Sequence, residues 1–194
     1  MPDTATTANT REFEGITIPT PGKFRLDPAH THAGFVARHM MVAKVRGRFS
    51  KLEGTIEIAE NPLDSSVEVT IDASSINTSE EARDNHIRTA DFLDVEHHPS
   101  ITFKSTLVVP VGKGAFAVTG DLTIRGVTKP VTLDVTLEGV VQDPYGNQRI
   151  GFSAQTEIDR HDFGVNFGAV MDTGGAVVGK TIKIEIEAEA VRES

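Results

Sequence analysis

The sequence predicts an all-β fold built from antiparallel strands. Over residues 182–190 apolar and charged residues alternate, with Ile182, Ile184 and Ile186 at every second position. Successive side chains of a strand point to opposite faces, so this segment has one apolar and one polar face. Purely parallel sheets bury both faces, so a polar face indicates antiparallel pairing. Short connections such as residues 143–147, rich in turn-forming residues, are typical of hairpins between neighbouring strands.

The predicted elements follow in chain order. Residues 1–22 are rich in threonine and have little periodicity, which predicts a flexible N-terminal arm. The folded domain then covers residues 23–194. It contains eight or nine expected strands, near residues 33–41, 42–50, 53–59, 67–72, 100–109, 115–125, 131–138, 148–158 and 182–190.

Two segments interrupt the strands. Over residues 78–89, Thr78 and Glu81 have the spacing of a helix capping box, which predicts one short helix. Residues 161–175 contain four glycines and predict a long loop or a kinked strand. Because loops often control access to binding sites, both segments are candidate gates.

Composition and charge exclude several classes of protein. A length of 194 residues fits one domain, and the absence of cysteine excludes disulfides and thiolate metal sites. The net charge of −9, with no evident basic patch, argues against nucleic-acid binding. The first residues lack the features of a signal peptide. The longest apolar stretches fall far short of the roughly 20 residues of a membrane-spanning helix, so we expect a soluble, cytoplasmic protein.

Eight amphipathic antiparallel strands form either a sandwich or a closed barrel. A barrel of eight strands is filled by its own side chains or holds one small ligand. The inward positions are mostly Val, Ile, Leu, Ala and Phe, a pattern that suits a packed core and a dry tunnel equally well.

The histidines suggest an alternative function. His30 and His32 would project to the same face of a strand, as ligands of a transition metal often do. With a third histidine they would form the centre of a metal-dependent enzyme, which metal analysis would detect. A third hypothesis is a structural homodimer without a ligand. No catalytic triad or nucleophile motif is present, so no catalytic residue is expected.

A resemblance to a known family decides between the sandwich and the barrel. The stretch from Leu26 to Thr31, followed by Phe35, Arg38 and His39, resembles the opening signature of the YceI-like family of polyisoprenoid-binding proteins. Seven later pieces agree in order, at residues 47–49, 75–78, 83–87, 91–94, 98–103, 120–126 and 160–164. The resemblance covers residues 23–191. It departs slightly from the family pattern, with Thr31 where serine is common and Phe24 where a larger aromatic is frequent.

The resemblance implies an extended antiparallel eight-stranded lipocalin-like β-barrel with one short helix. It further implies non-catalytic binding, storage or transport of a long polyisoprenoid, of the prenyl quinone or polyprenyl phosphate type, in an apolar tunnel. We expect a homodimer that contacts membranes transiently, with no cofactor and no bound metal. The candidate residues of the tunnel and its mouth are His30, Phe35, His39, Phe49, Arg83, Phe92, Phe103, Phe152, Arg160, Phe163 and Phe167. Among them the polar residues His30, His39, Arg83 and Arg160 are the candidates for binding a polar head group.

Overall fold

The computed structural model describes residues 9–168 and 177–194, in which thirteen strands and one α-helix are found. The strands are β1 (Thr10–Phe13), β2 (Ile16–Pro19), β3 (Gly22–Leu26), β4 (His32–His39), β5 (Ala43–Phe49), β6 (Leu52–Ile58), β7 (Ser66–Asp72), β8 (Ile76–Asn77), β9 (Ser100–Gly112), β10 (Ala115–Ile124), β11 (Val127–Gln142), β12 (Gln148–Asp159) and β13 (Val178–Arg192). The helix, α1, covers Glu81–Arg88.

Eight of these strands close into an antiparallel barrel, in agreement with the predicted fold class. Their order around the barrel is β12, β11, β10, β9, β7, β6, β3 and β13, and pairing between β13 and β12 completes the ring. The consecutive strands β9, β10, β11 and β12 are neighbours in the ring and are joined by short turns. Each of the eight strands thus has a partner on both sides over part of its length, which reduces the exposed edges that promote aggregation.

Strand β13 divides its outer edge between two partners. Its last residues, Ala190–Arg192, pair with β3, whereas residues 178–187 pair with β4. Strand β4 continues into β5, and β5 pairs with β8 at Phe49 and Arg48. The barrel wall therefore contains an additional hairpin, β4–β5, at the end that also carries α1. We call this the helix end and the opposite end the N-terminal end.

The predicted N-terminal arm contains a hairpin in its described part. Strands β1 and β2 pair with each other, and Ile18 and Pro19 are buried against the barrel. Arg11 fixes the hairpin by donating hydrogen bonds to the carbonyls of Ala59 and Glu60. The hairpin thus packs across the N-terminal end. The sequence did not predict it because its alternation is too short to distinguish from loop sequence. Residues 1–8 lie outside the described residues.

Helix α1 is shorter than predicted and begins with a different cap. Glu80 is the N-cap, and its carboxylate accepts hydrogen bonds from the N–H groups of Ala82 and Arg83. Ser79 has a φ of 65°, a left-handed conformation that ends any helix extending back to Thr78. The predicted capping box of Thr78 and Glu81 is therefore wrong.

The compact parts of the core lie towards the two ends of the barrel. The buried cluster at the N-terminal end consists of Phe24, Leu26, Ile56, Ile150 and Ala190. The cluster at the helix end consists of Ala73, Ile101, Leu122, Phe163 and Val165. No helix within residues 9–168 and 177–194 has the length and apolar character needed to cross a bilayer.

Candidate functional site

The barrel encloses a cavity of about 610 Å³. Its walls are formed mainly by the inward-facing Val, Ile, Leu, Ala and Phe side chains of the strands. They extend from Ile18 at the N-terminal end to Phe167 at the helix end. The sequence pattern suited a filled core and a hollow one equally, and the structure has a hollow interior. Because its lining is apolar, this space suits an apolar ligand better than ordered water.

Ten of the eleven predicted site residues lie on the cavity wall. They are Phe35, His39, Phe49, Arg83, Phe92, Phe103, Phe152, Arg160, Phe163 and Phe167. Two of the phenylalanines lie over glycines of the neighbouring strand: a Cβ atom at Gly47 would collide with Phe35, and one at Gly120 would collide with Phe103. These glycines are required because the aromatic rings lie directly on the backbone.

His30 is the predicted site residue that does not reach the cavity. It belongs to a short 3-10 turn, Pro28–His30, whose N-cap is Asp27. Its Nδ1 lies 2.8 Å from Oδ2 of Asp27, and the ring is exposed outside the barrel. The local turn, formed by a capping aspartate and a following proline, directs His30 away from the interior.

The same turn removes the geometry expected for a histidine metal site. His32 begins β4, whereas His30 precedes that strand, so the two rings do not share one strand face. Instead, polar atoms of His30, Asp27 and Glu189 lie within 4.8 Å of one another. Arg149 donates hydrogen bonds to both carboxylates of this group, so the group is already compensated by a cation.

The ionisable side chains of the cavity are concentrated at the helix end, and they are basic. Among the described residues of the wall, the ionisable ones are Arg38, His39, Arg83, His86 and Arg160, and none is a carboxylate. This distribution contrasts with the net charge of −9 of the chain. A low-dielectric cavity with only basic groups at one end favours an anionic or electron-rich group there.

Arg160 is the most deeply placed of these basic groups. It is 6% exposed and donates hydrogen bonds to the carbonyls of Val165, Gly179 and Val178, at 2.8, 2.9 and 3.2 Å. Burial lowers the pKa of Arg160 because it removes water from the guanidinium. The three carbonyls hold the side chain in place without neutralising its charge.

Arg83 reaches the cavity from α1. Its Nε donates to Oγ1 of Thr78 at 2.7 Å and its Nη2 to the carbonyl of Thr78 at 2.8 Å. Thr78 is in turn fixed by the buried carboxylate of Asp84, which accepts a hydrogen bond from its N–H at 2.8 Å. Arg83 is therefore oriented by Thr78, in the segment that precedes its helix.

His86 was not predicted as a site residue. Its ring centroid lies 5.1 Å from that of Phe92 and 5.0 Å from that of Phe167, both edge-on. The spacing of Arg83, His86 and Ile87 places them on one face of a helix, and all three line the cavity. That helical spacing is the signal that would have identified His86.

The surface exposure of the wall shows where the cavity opens. His39, His86 and Phe167 are exposed and also line the cavity, so it reaches the surface at the helix end, and Ser66 at the start of β7 is a further exposed wall residue. Both predicted gates, residues 78–89 and 161–175, lie at this end in their described parts. Residues 169–175 of the second gate lie outside the described residues.

Residues 24–190 match the family of YceI-like domains. The chain belongs to the YceI-like family. Its relatives include UPF0312 protein SA2479 of Staphylococcus aureus, which is 38% identical over 168 residues that cover 86% of this chain and 95% of that one. Another is UPF0312 protein VC_A0539 of Vibrio cholerae, which is 41% identical over 140 residues, covering 71% of this chain and 73% of that one.

Solved structures show the same YceI-like barrel. BcnA of Burkholderia cenocepacia is 25% identical, with a TM-score of 0.75 over 84% of this chain and 98% of that one. The YCEI protein of Campylobacter jejuni is 29% identical, with a TM-score of 0.70 over 81% and 90%. A polyisoprenoid binding domain from Saccharophagus degradans shares the fold at 17% identity, with a TM-score of 0.68 over 88% and 98%.

Proposed function

We propose that this protein is a non-catalytic carrier or store for a long polyisoprenoid, held in the barrel cavity. The observation that supports this most directly is the apolar cavity of about 610 Å³, which opens at an end lined by basic side chains. Burial contributes roughly 0.8 kcal/mol per CH₂ group, so an isoprenoid chain binds tightly without many polar contacts. A related fold described as a polyisoprenoid binding domain supports the same ligand class.

The basic groups favour a polyprenyl phosphate over a neutral prenyl quinone. Arg83 and Arg160 lie at the open end of the cavity and supply charge-assisted hydrogen bonds, which phosphate oxygens accept most strongly. No carboxylate among the described wall residues competes for them. In this arrangement the isoprenoid tail extends towards Ile18 and the phosphate stays at the helix end.

Native mass spectrometry of gently purified protein tests the proposal. A bound species with the mass of an isoprenoid, identified after denaturation of the same sample, supports it. Protein without lipid is then incubated with a polyprenyl phosphate and with a prenyl quinone. If the folded protein carries no lipid and binds neither compound, the proposal is wrong. The expected homodimer and cytoplasmic location stay predictions.

A further inference from the structure

The outer face of the β4–β5 hairpin carries a row of basic side chains. Arg38 lies directly opposite Lys44 in the strand pairing, and Arg46 and Arg48 follow Lys44 at alternate positions of β5. All four are exposed. The inward positions between them, such as Val45 and Phe49, line the cavity. The hairpin is therefore mainly apolar on its inner face and basic on its outer face, and Arg38 and His39 also reach the cavity wall near the tip.

This concentration of charge is local. Between residues 28 and 52 the chain has five Lys and Arg residues and no Asp or Glu, although it has 28 acidic residues in total. Arg46 is partly compensated by Glu185, whose carboxylate lies 3.7 Å away. Like charges directly opposite each other, as at Arg38 and Lys44, destabilise a strand pair. Charged side chains of either sign can protect a strand edge from pairing with another chain. Edge protection therefore does not explain why all the charges of this stripe are positive in an acidic chain.

The tip of the same hairpin is apolar and exposed. Met40, Met41 and Val42 are 42%, 55% and 85% exposed. Met40 and Met41 have φ values of 50° and 62°, a conformation that glycine or asparagine adopts at lower cost. The tip therefore combines an unfavourable backbone conformation with unfavourable exposure. Neither feature is accounted for by packing within the described part of the chain.

The tip lies next to the opening of the cavity. Arg38 and His39 belong both to the hairpin and to the cavity wall, and the N–H of Met40 donates to the carbonyl of Val177, another wall residue, at 2.8 Å. An apolar tip surrounded by basic residues is the combination that binds an anionic bilayer: the apolar groups enter the interface and the cations contact lipid head groups.

We propose that the β4–β5 hairpin docks the barrel on an anionic lipid bilayer, with Met40–Val42 inserted and Arg38, Lys44, Arg46 and Arg48 at the head groups. Docking in this orientation points the cavity opening at the lipid surface. The biological purpose of docking rests on the proposed carrier function, since a ligand would then pass between bilayer and cavity without crossing water. Docking itself needs no ligand in the cavity.

Vesicle co-sedimentation of lipid-free protein tests this surface. We expect binding to vesicles of phosphatidylcholine with 30% phosphatidylglycerol, and much weaker binding to phosphatidylcholine alone or in high salt. Each basic side chain near an anionic surface contributes about fivefold, so Lys44→Gln with Arg48→Gln lowers the affinity at least tenfold. Met41→Asn with Val42→Ser lowers it by a similar factor, and asparagine tolerates the positive φ.

A matched control removes two lysines at the opposite end, Lys23→Gln with Lys113→Gln, and leaves vesicle binding unchanged. Circular dichroism establishes that each variant is folded. The proposal is overturned if wild-type protein does not bind anionic vesicles, or if the control loses binding equally. Binding that depends on Lys44 and Arg48 but not on Met41 and Val42 also overturns it, because the stripe would then recognise a soluble polyanion. None of these results bears on whether an isoprenoid occupies the cavity.

Discussion

Nη1 of Arg149 lies 2.8 Å from Oδ2 of Asp27, and this ion pair joins the start of β12 to the corner between β3 and β4. The same guanidinium donates through Nε to Asp143, at 2.9 Å, in the turn between β11 and β12. Hydrogen bonds from Arg149 and from His30 lower the pKa of Asp27 from 3.8 to about 2. The charged form of Asp27 is thus stabilised by folding.

This pKa shift predicts a loss of stability in acid. Because the pKa of Asp27 is lower in the folded protein, its contribution is fully present above about pH 4 and is lost as the pH falls towards about 2. Arg149→Met removes the main cause and moves the acid unfolding midpoint to higher pH, which circular dichroism measures. Arg46→Met, in an exposed pair with Glu185, is the control and leaves the midpoint unchanged. Identical midpoints for all three proteins would contradict the assignment.

Filling the cavity reduces lipid binding without unfolding the barrel. Ala154 lines the cavity, and Ala154→Phe adds a ring that projects into it. We expect at least tenfold weaker binding of a polyprenyl phosphate, with the free energy of unfolding lowered by no more than the roughly 1–3 kcal/mol typical of added side-chain volume. The control is Ala117→Phe, the same change on β10 at a position that does not line the cavity. Equal affinities for the two variants would place the ligand elsewhere.

Removing one basic group distinguishes the two ligand head groups. Arg83→Met eliminates charge-assisted hydrogen bonds to a phosphate, which contribute about 1.5–3 kcal/mol and correspond to at least tenfold in affinity. Binding of a prenyl quinone changes much less. Arg88→Met is the control on the same helix, because Arg88 bonds to the carbonyls of Ser74 and Ile76 and does not line the cavity. A parallel loss for both ligands would argue for a structural role of Arg83.

The N-terminal hairpin is expected to slow ligand release at its end of the barrel. Ile18 is 5% exposed and lines the cavity, so Ile18→Ala removes apolar contacts, at a local cost of about 2–5 kcal/mol. The dissociation rate of a bound polyprenyl phosphate should rise, as measured by transfer to acceptor vesicles. Thr17→Ala, at the neighbouring exposed position, should release the ligand at the wild-type rate. An unchanged rate for Ile18→Ala would mean that release occurs only at the helix end.

The alternation of apolar and polar residues predicted seven of the eight strands of the barrel, because each has one face in the cavity and one in water. It failed where segments are short: Phe24 and Leu26 of β3 and Ile16 and Ile18 of β2 give too few repeats. The closed ring was predicted from the family resemblance, since alternation alone also fits a sandwich.

All seven predicted phenylalanines and three of the four predicted polar residues line the cavity, and His30 is the exception. The inward direction of phenylalanines on strands, such as Phe35 and Phe103, follows from alternation, whereas the direction of His30 depends on a turn set by Asp27. The basic stripe was missed for a related reason. Lys44, Arg46 and Arg48 alternate with apolar residues along the chain, and only pairing with β4 places Arg38 beside them on one face.

The pairing of β3 with β13 has a consequence for how the protein is made. Nε of Arg25 and Oε1 of Glu193 are 3.1 Å apart, although 168 positions separate the two residues. The barrel therefore cannot close until β13 has left the ribosome, and such distant contacts slow folding. Throughout synthesis the strands that line the cavity remain exposed to water, so the nascent chain is most vulnerable to aggregation just before its last strand emerges.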